Sequence, residues 1–192
     1  MIDLDKDIED KIKVKALHYT KKGRPSWDVP YMLTAVYYIK KLLEAENGDP
    51  RILIPATYLH DIGYAGLLNE GYSYDDCSNA KKKHKVIGAK MSKKILKQIG
   101  YFTDPEIEAI ARLVGIHDNF SEIKDKRTQL LFEADSLAQI DLERVEPSFN
   151  NENYRKFYQG FIRERVPLFK TETGKQHLLK LQKQVKTYID NF

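Results

Sequence analysis

The chain has 192 residues, and 42% of them are hydrophobic, which is enough apolar material for the core of one compact domain. The formal net charge is only +4, because 32 basic residues are interleaved with 28 acidic ones. This weak excess favours small anionic substrates and gives no indication of polymeric nucleic acid. The single cysteine excludes an internal disulfide, and no stretch approaches the roughly 18 consecutive apolar residues of a membrane span. We therefore expect one domain over residues 1–192, in the cytoplasm and outside the membrane.

Apolar residues recur at helical spacing almost throughout, and this periodicity predicts an all-α fold, a compact helical bundle. The boundary at Thr103 has the form of a capping box with Glu106, and a proline lies between them at the first helical turn. A polar loop over 64–80, which contains Cys77, is long enough to suggest that it covers a site. The predicted helices span, in chain order, about 3–20, from Pro30 to the turn at 47–50, 51–61, 81–99, 103–117, 127–141, 151–168 and 174–190.

Three of the five histidines, His60, His84 and His117, lie on apolar faces of predicted helices and therefore point into the bundle. Asp61 follows the first of them, and Asp135 lies at the edge of another apolar face. One inward histidine is more often a hydrogen-bonded core residue than a ligand. Burying several imidazoles and two carboxylates without partners, however, would cost on the order of several kcal/mol, and a shared divalent cation satisfies them all. Nitrogen and oxygen donors suit manganese, iron, cobalt, nickel or zinc better than calcium.

The order of these residues resembles the HD superfamily of metal-dependent phosphohydrolases. The segment around the adjacent pair His60-Asp61 looks like the central helix of that family, and the segment around Asp135 looks like the helix that bears its final aspartate. His84 and His117 occupy places where many members carry two additional histidines. A bare His-Asp pair is a weak signal, whereas this ordered set in apolar helical context is a strong one.

The resemblance implies a metal site and a reaction. His60, Asp61 and Asp135 would bind one metal, and Asp61 would bridge to a second metal held by His84 and His117. Two such metals can activate water and stabilise a phosphoryl oxygen in an in-line displacement. The implied function is hydrolysis of a phosphate ester, on a nucleotide or another small molecule, with one or two divalent transition metal ions and with Asp61 among the catalytic residues.

The resemblance covers about residues 26–140, the core that carries the motifs, and additional C-terminal helices at about 150–190 lie outside it. Those helices could cover the core or form a dimer interface, so a homo-oligomer remains open. No membrane and no polymeric nucleic acid is expected among the partners, which leaves the small phosphate ester or nucleotide.

Two positions depart from the family pattern. The first histidine of the family is expected about thirty residues before the His-Asp pair, where this chain has Tyr31, with Asp28 one turn earlier as another oxygen donor. Tyr31 could bind ferric iron, line the pocket, or mark a weakened site. Many relatives also have a lysine near the substrate phosphate where this chain has Tyr64. Lys82 and Lys83 are the candidate replacements for that positive charge. Alternatively, both lysines belong to a basic, solvent-exposed first turn of a helix.

Three alternatives to a phosphohydrolase remain open on the sequence. The first is a non-catalytic HD module with a degraded metal site, which binds a nucleotide or a partner protein. The second is a di-iron oxygenase on the same ligand set. The third is a plain helical structural protein whose core histidines are satisfied by hydrogen bonds, and it predicts that metal chelators leave stability unchanged.

Overall fold

The chain forms a bundle of helices in a computed structural model that describes residues 4–68, 74–147 and 150–191. Within these ranges there are eight α-helices and no strand, which confirms the predicted all-α fold. No helix in the described ranges is both long enough and apolar enough to cross a membrane. Three short 3₁₀ turns also connect helices in the part of the chain that the structure describes, at Ile62–Tyr64, Phe120–Glu122 and Val166–Leu168. The α-helices are α1 (Lys6–Thr20), α2 (Asp28–Ala45), α3 (Pro50–Leu59), α4 (Tyr74–Ile99), α5 (Asp104–Ile116), α6 (Lys126–Gln139), α7 (Asn151–Glu164) and α8 (Glu172–Asp190).

Local capping explains several of the helix starts. The Asp49 carboxylate accepts a hydrogen bond from the Arg51 amide at 3.0 Å, and Pro50 opens α3 at a position where no amide donor is needed. The predicted capping box opens α5, because the Glu106 carboxylate accepts from the Thr103 amide at 2.7 Å. These short-range signals fix where α3 and α5 begin, and the site residues His60 and His117 lie at the opposite, C-terminal ends of the same helices.

Two predicted boundaries are wrong. Helix α4 begins at Tyr74, so the second half of the predicted loop 64–80 is helical, and Cys77 lies in that helix. Residues 69–73 of this loop lie outside the described residues. Ala80 is buried against the 3₁₀ turn after α3, and this tertiary contact favours helix where the local composition is polar. The helix predicted over 151–168 ends at Glu164 instead, because Pro167 cannot continue an α-helical ladder.

Helix α6 is the most enclosed element, since every residue from Thr128 to Ala138 is buried. It packs on α2, and α2 in turn packs on α3. Its polar residues must therefore find partners inside the protein. The Glu133 carboxylate accepts from the amides of Lys170 and Thr171 at 2.8 and 3.0 Å, and so holds the start of α8 against α6.

The 3₁₀ turn after α3 touches α4 backbone to backbone. A Cβ atom on Gly63 would overlap the carbonyl oxygen of His84 and lie 2.7 Å from the amide nitrogen of Gly88. Only glycine allows this approach. The contact brings the exit of α3, with His60 and Asp61, directly against the histidine of α4.

Candidate metal centre

The five predicted metal ligands meet at one buried point of the bundle. They come from the C-terminal ends of α3 and α5 and from the interiors of α4 and α6, and each is at most 6% exposed. One carboxylate oxygen, Oδ1 of Asp61, lies 3.3 Å from Nε2 of His84 and 3.4 Å from Nε2 of His117. Nε2 of His60 lies 3.4 Å from Oδ1 of Asp135. Their role as ligands stays a prediction, but the structure brings all five together: His60, Asp61, His84, His117 and Asp135.

The three histidines share one hydrogen-bonding pattern. In each ring Nδ1 lies within hydrogen-bond distance of the backbone carbonyl three residues earlier, at 2.6 Å for His60, 2.9 Å for His84 and 2.8 Å for His117. In the neutral ring Nδ1 is then the donor, and the lone pair of Nε2 faces the aspartates. Nε2 of His60 is fully buried and has no hydrogen-bond partner. Fixing Nδ1 on a carbonyl and leaving Nε2 free is how proteins orient histidine ligands, so this donor set fits a transition metal.

The cluster divides into two halves that share Asp61. In the second half, ligand atoms of Asp61, His84 and His117 all lie within 4.8 Å of one another, a spacing that could hold a metal ion. Oδ2 of Asp118 lies 3.7 and 3.8 Å from the two histidine Nε2 atoms and offers a fourth donor. The sequence analysis missed Asp118 as a ligand, although the adjacent pair His117-Asp118 repeats the pattern of His60-Asp61.

The first half consists of His60, Asp135 and Oδ2 of Asp61, and Tyr31 occupies the place expected for the missing histidine. The Tyr31 hydroxyl donates a hydrogen bond to Oδ1 of Asp135, so the tyrosine contacts the site through a carboxylate. Oδ2 of Asp135 accepts from the guanidinium of Arg165 at 2.9 Å. The carboxylate oxygens of Asp135 are therefore both engaged by side chains of this chain.

Arg24, in the turn between α1 and α2, contacts the other carboxylate. Its guanidinium lies 2.6 Å from Oδ2 of Asp61 and 2.5 Å from Oδ1 of Asp28, which is completely buried. The same guanidinium lies 4.2 Å above the ring of Tyr64, a cation–π contact. The sequence offers no indication of a role for Arg24, because nothing local reveals a partner 37 residues away.

Arg165, at the end of α7, is the third residue near the site that the sequence did not reveal, after Asp118 and Arg24. It is 7% exposed and donates to both Asp135 and Ser136, the latter at 2.8 Å. Its guanidinium also lies 5.1 Å from the ring centre of Phe120. A residue from the C-terminal helices therefore completes the site.

Lys82 and Lys83, the predicted phosphate-contacting residues, are exposed on α4. Among the described contacts of the cluster, the guanidinium groups of Arg24 and Arg165 supply the positive charge next to the carboxylates. The phosphate-binding role of the two lysines stays a prediction that no contact here supports.

The electrostatics of the cluster favour positive charge. Burial acts to raise the pKa of Asp61, but the charges of His60 and Arg24 outweigh it and hold this pKa well below its usual range. Burial acts to lower the pKa of His60, whereas Asp61 and Asp135 raise it to about 9. A proton and a metal ion therefore compete for Nε2 of His60.

An all-α bundle with imidazole nitrogens converging on buried aspartates has the donor set of a helical domain that could hold a metal ion. A family model, described as HD domain, matches residues 32–140. The chain therefore belongs to the HD-domain family, whose members typically bind divalent metals. Tyr31, Arg24 and Arg165 all lie outside the matched segment.

The fold is also similar to that of a solved structure, the crystal structure of a predicted HD superfamily hydrolase from an uncultured Thermotogales bacterium. The TM-score is 0.61 at 18% sequence identity, and the match covers 97% of this chain and 89% of that one. A likeness at this identity shows the fold. No significant match was found among curated proteins.

Proposed function

We propose that this protein is a metal-dependent hydrolase that cleaves phosphate esters of nucleotides or other small molecules. The observation that carries the proposal is the set of inward Nε2 atoms, each fixed by a backbone carbonyl at Nδ1 and all facing Asp61 or Asp135. Membership of the HD-domain family supports the same reaction class.

The residues that would hold a metal are His84 and His117 with Asp61 and Asp118, and His60 with Asp135 on the other side. Imidazole and carboxylate donors suit manganese, iron, cobalt, nickel or zinc. When bound, such an ion supplies Lewis acidity toward a phosphoryl oxygen and lowers the pKa of water. The histidines have to be neutral for this, and their Nδ1 contacts hold them in the required tautomer.

The rest of the chemistry falls to side chains of this chain. The guanidinium groups of Arg24 and Arg165 are planar donors at the edge of the carboxylate cluster, and such groups recognise phosphate oxygens in a bidentate manner. Burial of Asp61 and Asp135 excludes bulk water and strengthens every charge interaction in the site. These features orient an anionic ester toward the buried donors.

The replacement of the first histidine by Tyr31 favours one second candidate, an HD module that binds metal and a nucleotide without turnover. Tyr31 donates to Asp135 and takes up one of its oxygens. Such a module would bind ligand but release no phosphate.

A screen for phosphate release tests the proposal. The protein is loaded separately with manganese, ferrous iron, cobalt, nickel or zinc and offered nucleoside mono-, di- and triphosphates and p-nitrophenyl phosphate. The matched control is Asp61→Asn, which keeps the side-chain shape and removes the charge. We expect release of phosphate or pyrophosphate that Asp61→Asn lacks. Metal-loaded wild-type protein that releases no more than the variant would support the binding module instead.

A further inference from the structure

The carboxylate oxygens that face the first half of the cluster already make hydrogen bonds or ion pairs with side chains of this chain. Oδ2 of Asp61 is 2.6 Å from Arg24, and Oδ2 of Asp135 is 2.9 Å from Arg165. Oδ1 of Asp135 accepts the hydroxyl of Tyr31. Each oxygen keeps a second lone pair, but a metal ion bound there would lie next to a fixed guanidinium group, whose positive charge repels it. In the second half, by contrast, Oδ1 of Asp61 faces the Nε2 atoms of His84 and His117, at 3.3 and 3.4 Å.

Arg24 is held in place by groups other than Asp61. Its backbone amide donates to Oδ2 of Asp28 at 2.7 Å while its side chain donates to Oδ1 of the same residue. The guanidinium is also covered by the Tyr64 ring. The turn itself is fastened to the site, because the amide of Gly66 donates to the carbonyl of Lys22 at 2.9 Å. The Arg24 guanidinium is therefore held in a fixed position in the site.

Arg165, like Arg24, is held in the site by several contacts. It is buried, donates to Ser136 as well as to Asp135, and lies 5.1 and 5.7 Å from the ring centres of Phe120 and Phe132. The next turn leads into α8, whose start is fixed on α6 by Glu133. The Arg165 guanidinium is therefore held by a carboxylate, a hydroxyl and two aromatic rings.

The charges of the described site also match one divalent ion. Four carboxylates, those of buried Asp28, Asp61 and Asp135 and that of half-buried Asp118, face the two guanidinium groups described above. With all three histidines neutral this leaves two negative charges, and with His60 protonated it leaves one, so one divalent cation brings the site to within one charge of neutrality. Two divalent cations would leave an excess of positive charge in a buried site, where uncompensated charge is costly.

We propose that this chain binds a single metal ion, held by Asp61, His84 and His117 with Asp118, and that the guanidinium groups of Arg24 and Arg165 take the place of the first metal. The proposal rests on the metal centre of the proposed function. On this proposal the first histidine of the family is absent because the fixed positive charges of Arg24 and Arg165 replace the ion that it would bind.

Metal stoichiometry tests this directly. Wild-type protein, His60→Ala and His84→Ala are stripped with a chelator, reloaded with excess manganese, desalted and measured by elemental analysis. We expect one equivalent in wild type, about one in His60→Ala, and less than a tenth of an equivalent in His84→Ala. Asp135→Asn is a second first-half variant, with nearly unchanged shape, and should also retain its ion. Circular dichroism and melting temperature establish that each variant is folded.

The outcomes separate the two proposals. Two equivalents in wild type, or manganese electron paramagnetic resonance of an exchange-coupled pair, would overturn the single-ion site and leave the proposed hydrolase intact. Loss of the ion in His60→Ala and Asp135→Asn, with retention in His84→Ala, would also overturn it. Protein that binds no metal at all would overturn both proposals.

A gain of binding tests the role of the arginine. The double variant Arg24→Gln with Tyr31→His removes one guanidinium and restores the imidazole, so we expect its manganese content to rise from one to two equivalents. Lys22→Gln, in the same turn but exposed, is the matched control and should stay at one equivalent. A folded double variant that still binds one equivalent would overturn the assignment of Arg24.

Discussion

Replacing Gly63 by alanine should damage both stability and metal binding, because this residue sets the distance between α3 and α4. The new Cβ would overlap the His84 carbonyl oxygen and lie 2.7 Å from the Gly88 nitrogen, where ordinary contacts begin at 3.4 Å, so α4 has to retreat by at least about 0.7 Å. Overpacking of this kind costs about 1–3 kcal/mol. The displaced helix carries His84, and metal ligands tolerate errors of only about 0.2 Å, so we expect metal affinity to fall about 10- to 100-fold.

Urea unfolding and manganese titration of Gly63→Ala measure the two effects. Gly115→Ala is the matched control, since its Cβ would meet only the Cβ of Ala89, at an ordinary 3.5 Å, in the last turn of α5. That change should be neutral or stabilising by up to about 1 kcal/mol, because alanine is the better helix former. If Gly63→Ala matched wild type in both stability and manganese affinity, the backbone contact would not be what positions the site.

Three further predictions follow from individual contacts. Glu133→Ala should lower the free energy of unfolding by about 3 kcal/mol, because it leaves the amides of Lys170 and of buried Thr171 without their acceptor. A loss below about 1 kcal/mol in urea unfolding would contradict this. The side-chain hydrogen bond from Arg51 and the capping bond from the Thr103 amide lower the pKa of Glu106 to about 2. The stabilisation by the Glu106 carboxylate is therefore fully present above its unfolded pKa, near 4.3, and is lost as the pH falls toward 2. The difference in free energy of unfolding between wild type and Glu106→Gln should disappear across that pH range. A difference that stays constant with pH would contradict this. Removing metal with a chelator should lower the melting temperature, and added manganese should restore it by mass action, whereas an unchanged melting temperature would favour a plain helical structural protein.

The helices and the five residues of the cluster could be predicted because apolar residues recur at helical spacing along the helices and around the inward histidines. An inward histidine is detectable through its apolar neighbours at helical spacing, and the capping box at Thr103 is encoded within four residues. Helix α4 was predicted to begin too late, since burial of Ala80 depends on the turn after α3, which the local sequence does not reveal. Whether the whole chain is one domain stays a prediction.

The guanidinium groups of Arg24 and Arg165 could not be predicted, because neither residue leaves a signal in its local sequence. Arg24 lies in a polar turn without periodicity, and Arg165 lies 30 residues beyond Asp135 in a helix outside the family motif. Both are placed by tertiary contacts alone. The basic residues that stand out in the sequence, Lys82 and Lys83, lie on an exposed helix surface instead.

The most direct test of the central claim is an anomalous difference map from crystals of manganese-loaded protein. We predict one strong peak within about 2.0–2.3 Å of Nε2 of His84, Nε2 of His117 and Oδ1 of Asp61, and no peak in crystals of Asp61→Asn treated in the same way. A map without any peak at the three histidines would contradict the account of this cluster as a metal centre.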